Sequence, residues 1–132
     1  MDDRGRAAFF LLIIAQGLHS IEEFHFRLFD ALPTARWIAE AIGPSRAAGF
    51  LTFNSLLVLF GLWCWFARVR PAHRFARGFA WFWALLEIAN GLGHVALAAA
   101  AGGYFPGLAT APLLLGLGGY LALRLARART AA

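Results

Sequence analysis

Five ionisable side chains sit inside apolar runs at spacings that suit chemistry. His19, Glu22 and Glu23 share one run, Glu87 and His94 another, and Asn90 lies between the latter two. At about 100° per residue, Glu87, Asn90 and His94 fall within roughly 60° on one helical face, while Gln16, His19, Glu22 and Glu23 span about 120°. Histidines and carboxylates at i,i+3 and i,i+4 spacings resemble the way helical bundles hold metals between facing helices. The ligands expected on this basis are His19, Glu23, Glu87 and His94. Zinc accepts such a set, and iron or manganese suits a carboxylate-rich one. A bound ion would activate water or oxygen toward a membrane-embedded substrate.

The same residues also support metal-free acid–base chemistry on a lipid, such as isomerisation, hydration or cyclisation of an isoprenoid or fatty chain. One of Glu22, Glu23 and Glu87 would donate a proton while another, bonded to His19 or His94, stays ionised. Asn90 and Asn54 would orient substrate or acids, Tyr104 would contact substrate, and aromatic walls would stabilise a cationic intermediate. Two further readings are a proton or metal relay for transport or sensing, and a self-satisfied network that only holds helices together. Transport ranks behind catalysis because the polar groups stop at one level: toward the other end the first segment offers only Gln16, and the last offers only Tyr120.

The surrounding chain is a membrane protein by composition. It is 61% hydrophobic and 14% charged, against soluble averages of about 45–50% and about 25%. Four apolar segments, at about 7–26, 47–67, 78–101 and 107–125, each approach the roughly 20 residues that a helix needs to cross a hydrocarbon core about 30 Å thick. The expected fold is therefore all-α, a single polytopic membrane domain over 1–132 built as a four-helix bundle. The first segment lacks a cleavage pattern and is expected to be retained. Cys64 has no partner for an intramolecular disulfide.

The net charge of +5 comes from twelve Arg and no Lys. They cluster at the ends of apolar runs, which argues for membrane orientation and against nucleic-acid binding. Arg4, Arg6, Arg68, Arg70, Arg74, Arg77, Arg124, Arg127 and Arg129 fall on one side, and Arg27, Arg36 and Arg46 on the other. Both termini are expected to be cytoplasmic, in an inner membrane. Trp63, Trp65, Trp81 and Trp83 then read as an interfacial belt. In the first connection, Ala35 to Ile42 reads as a short helix lying flat on the outer surface, with Arg36 and Glu40 paired at i,i+4 and Gly43-Pro44 as its stop. The small-residue runs Ala96–Gly103 and Gly116–Gly119 read as packing faces within the bundle or between copies in a homo-oligomer.

Depth joins the polar groups. Counted at 1.5 Å per residue, His19 to Glu23 lie about 18–24 Å from the cytoplasmic edge, Glu87 to His94 about 13–24 Å, and Asn54 about 20 Å. An ionised acid near a helix centre costs about 2.5–3.5 kcal/mol on insertion scales, so these groups must be paired, protonated, metal-bound or wet.

His19-x-x-Glu22-Glu23, Asn90-x-x-x-His94 and Tyr104-x-Pro106-Gly107 occur in that order. Together they resemble the HXXEE family of small bacterial integral membrane proteins, and the resemblance covers most of the chain. It implies a four-helix membrane protein whose motif residues form one site. It implies no particular reaction, because the family carries no assigned activity.

Overall fold

A computed structural model describes residues 1–130, the side chains of 129 and 130 excepted, so the side chain of Arg129 in the charge count lies outside it. The described residues form helices α1 (Asp3–His25), α2 (Leu28–Ala31), α3 (Pro33–Ile42), α4 (Arg46–Cys64), α5 (Ala76–Ala101) and α6 (Ala111–Thr130); α4 runs on as a π-helical turn, Trp65–Val69. Three stretches are long and apolar enough to cross a membrane: α1, α4 with its π turn, and α5. α6 falls short of that standard because Arg124 and Arg127 occupy its last turns. It begins at Ala111 and not near residue 107, since Gly107 to Thr110 are turns.

α1, α4, α5 and α6 run up, down, up and down. Ser20 of α1 meets Asn54 of α4, and Ile13 lies against Gly61. Asp2, which caps α1 by accepting from the Gly5 amide at 3.0 Å, pairs with Arg124 near the end of α6. Arg77 at the start of α5 donates to the Leu125 carbonyl. α5 packs most extensively on α6, and α1 on α6 and α4, whereas α4 and α5 meet through aromatic rings at the end nearer the termini, Phe60 and Trp63 against Phe79, Phe82 and Trp83. Gly91 and Gly118 permit the close α5–α6 approach: a Cβ at Gly91 would come within 2.8 Å of Leu115, and one at Gly118 within 3.2 Å of the Ala84 carbonyl.

The apolar core fills the end of the bundle nearer the termini, with Phe9, Leu12, Ile13, Trp83, Leu114 and Leu121 fully enclosed. Trp83 therefore leaves the expected aromatic belt; its ring is taken inward by the space at Gly61, where the nearest ring carbon would lie 3.1 Å from a Cβ. Outside, the long helices present apolar side chains such as Ile21 (67% exposed), Leu92 (56%) and Leu123 (58%). Apolar faces of this kind suit hydrocarbon better than water.

At the other end α2 and α3 fold over α4. Phe29, Ala39 and Phe50 form a small second core there. α3 starts at Pro33, a residue suited to the first helical turn because its missing N–H costs nothing there. The expected Arg36–Glu40 pair is replaced by contacts across the turns: Arg36 donates to the Asp30 carbonyl at 2.6 Å, and Glu40 pairs with Arg46 at 2.6 Å beyond Gly43-Pro44. Asp30 also pairs with Arg27 at 2.7 Å. Desolvation would raise the Asp30 carboxyl, but Arg27 and Arg46 outweigh it and hold the group below its usual range.

Candidate metal centre

Glu22 is held by the α5–α6 connection. Its Oε1 accepts from the Tyr104 hydroxyl at 2.5 Å and from the Gly107 and Ala109 amides at 3.2 and 3.0 Å. Its Oε2 accepts from the Thr110 amide at 2.8 Å and the Thr110 hydroxyl at 2.5 Å. Five donors converge, three of them main-chain N–H groups just ahead of α6, where the helix end favours an anion. Only a carboxylate can accept them all. Burial, and then the bond to Glu22, push the Tyr104 phenol up to about 12, so it stays a donor.

The Thr110 hydroxyl has one proton, and Glu22 receives it. The 2.7 Å contact between that hydroxyl and His19 Nδ1 is therefore filled by the imidazole proton. Nε2 of a neutral His19 then carries the lone pair. It has no hydrogen-bond partner, yet lies 3.3 Å from Glu23 Oε1. His94 Nε2 reaches the same oxygen at 3.0 Å, and the two rings meet edge to face, 4.6 Å between centroids. A lone pair facing a carboxylate oxygen is repulsive unless a proton or a cation stands between them.

Spacing suits a cation as well as a proton, since 3.0 Å is also an ordinary N–H···O length. Bonds of about 2.0–2.1 Å around a tetrahedral zinc place neighbouring donor atoms about 3.3 Å apart, close to the separations here. The ligand atoms of His19, Glu23 and His94 all lie within 4.8 Å of one another, and all three residues are buried. The hydroxyl–carboxylate relay behind His19 is the kind of outer-shell support that orients a ligating imidazole. His94 lacks such a bond, its Nδ1 being enclosed without a partner; packing orients it instead. Gly107, with φ +95°, brings its backbone so close that a Cβ would stand 2.4 Å from that nitrogen and 2.9 Å from the His19 ring.

Glu87 is not part of the cluster. It is fully buried, and Asn90 Nδ2 donates to its Oε2 at 3.5 Å. With the Gln16 amide nitrogen turned toward it, both Glu87 oxygens accept, at 2.8 and 3.2 Å, and the Gln16 oxygen meets Ser20 Oγ at 3.1 Å. The one Ser20 proton goes either to that oxygen or to Asn54 Oδ1, 2.8 Å away. A polar chain thus crosses from α4 through α1 to α5. Of the four expected ligands, His19, Glu23 and His94 come together, with Glu87 and Asn90 beside them; the Tyr104 hydroxyl meets Glu22.

Thr110 and Gly107 complete the site; Gly107 belongs to a motif that the family resemblance places there, whereas Thr110 was assigned no role from the sequence. Thr110-Ala111-Pro112 carried a helix-start signal, a capping residue followed by proline, but nothing local told that its hydroxyl would turn to α1.

Residues 10–121 match the family model of proteins of unknown function with an HXXEE motif. The chain belongs to that HXXEE family. No curated protein matches it, and no solved structure does.

Proposed function

We propose that the chain is a four-span protein of the inner membrane and that it binds a divalent transition metal through His19, Glu23 and His94, as an enzyme acting on a hydrophobic substrate. The convergence of two buried imidazole nitrogens on one Glu23 oxygen, at 3.3 and 3.0 Å, with His19 pre-oriented by Thr110 and Glu22, carries this reading. Three protein ligands leave a coordination position open for substrate or water, as catalytic zinc sites do. Zinc fits the histidines best, while iron or manganese fits the nearby acids. Glu87 and Asn90 lie beside the centre as acid–base and orienting groups.

In this reading α6 is the fourth span. Its 20 residues rise about 30 Å, and its terminal arginines reach the interface along their aliphatic stems. The ion pair between Asp2 and Arg124 joins the two ends of the chain at one end of the bundle, the arginine-rich one that orientation rules assign to the cytoplasm. α3 then caps the outer leaflet as an interfacial helix.

Elemental analysis of protein purified in detergent tests the centre. The wild type should carry about one metal per chain, with losses of about 10-fold or more in His19→Ala and His94→Ala, while Glu87→Gln keeps its metal. A metal-free wild type would overturn the centre and leave metal-free acid–base chemistry. Retention by both histidine variants would also overturn it.

A further inference from the structure

A cavity of about 370 Å³ lies between α1, α4 and α5 under the roof of α2 and α3. We propose that it holds a single-chain apolar molecule with an uncharged oxygen-bearing head, admitted from the membrane between α4 and α5. This deepens the reading above and rests on it for the reacting end, since Glu23 both lines the cavity and offers its Oε1 to the two histidines.

Charge decides the head group. Among the described residues Glu23, Glu87, Asn54, Asn90 and Gln16 line the cavity and no arginine does; the chain has no lysine. The two carboxylates already balance a divalent ion at the centre, so an anionic head would be buried beside two acids with no counter-charge left for it, the kind of repulsion by which sites reject wrong partners. Amides both donate and accept, so Asn54 and Asn90 suit a hydroxyl or carbonyl. Gln16, Glu87 and Asn90 are bonded in sequence along this wall, and Asn54 faces the same cavity from α4.

Leu28, Leu32, Ile38, Leu57 and Leu86 supply apolar wall for the tail. At about 30 Å³ per water-sized group the volume holds roughly a dozen heavy atoms, within the ordinary range of ligand pockets. Access follows from the packing. The ring contacts between α4 and α5 lie nearer the termini, whereas at the level of the cavity Phe53 and Ala89, one from each helix, line it while exposed on the outer face.

The test uses the full chain in phosphatidylcholine nanodiscs, labelled by a dodecanol bearing a mid-chain diazirine, with adducts located by peptide mass spectrometry. Adducts should fall on cavity residues such as Leu57 and Leu86. Unlabelled 1-dodecanol should suppress them about tenfold at a concentration where dodecyl phosphate changes them by less than about twofold. Ala89→Trp, which plugs the mouth, should lower them about tenfold. Equal competition by the phosphate would overturn the proposal, as would adducts on outward positions such as Leu92 in place of the cavity. Undiminished labelling of a folded Ala89→Trp would overturn the access route. If that variant fails to fold, the wild-type competition still decides. Metal content on the same samples separates the two readings: metal-free protein labelled as expected refutes the centre alone, and metal-loaded protein labelled only outside refutes the pocket alone.

Discussion

The two halves of α1 bury their side chains in opposite ways. Toward the termini, Phe9, Leu12 and Ile13 lock into an apolar core around Trp83. Toward the other end, Gln16, His19, Glu22 and Glu23 are equally enclosed yet polar. One half is held by volume and the other by direction. Dispersion contacts forgive small rotations, whereas a carboxylate held by five donors does not. The polar half therefore fixes geometry at a cost in stability that the apolar half offsets.

Substitutions at each end should separate these two kinds of hold. The largest effect is expected from Trp83→Ala, which empties the centre of the apolar half and should cost about 3–5 kcal/mol in detergent unfolding; metal per folded chain should stay unchanged. Glu22→Gln should cost less, about 2–3 kcal/mol, but should also speed amide exchange at Gly107, Ala109 and Thr110 and lower metal retention. An exchange pattern like the wild type would mean the carboxylate is not what holds that connection.

Gly107→Ala comes next. Its Cβ has no room beside His94, and overpacking of this kind costs about 1–3 kcal/mol; metal loss out of proportion to that cost would mark the position as geometric. The smallest effect concerns acid. The Asp30 carboxyl is held below its ordinary value, so its contribution is present above that ordinary value and fades as pH falls through the lowered one. Amide exchange in α2 and α3 should rise slightly in that acid range, and Asp30→Asn should abolish the dependence.

Much of this was legible in the residues. The His19, Glu22, Glu23 stripe and the Glu87, Asn90, His94 stripe do face one another, because helical periodicity and rise set both face and depth. The division of labour between neighbouring acids was not legible. Glu22 and Glu23 diverge by about 100° around α1, and only the path of the α5–α6 connection decides which meets amides and which meets histidines. Trp83 was misplaced for a similar reason: composition put it at an interface, and a glycine on another helix drew it into the core. α6 shows the limit of counting apolar residues, since its arginines count against a span whatever their stems reach.

Three of the five donors to Glu22 belong to the main chain, and this shapes how the site would look to genetics. Alanine scanning leaves peptide groups intact: it does not probe Ala109, and at Gly107 and Thr110 it reports an added Cβ or a lost hydroxyl in place of the N–H. A mutational map would then draw the site as a few scattered side chains with a gap where the main-chain donors lie. The gap would be an artefact, and replacing single peptide N–H groups there with ester oxygens would fill it in.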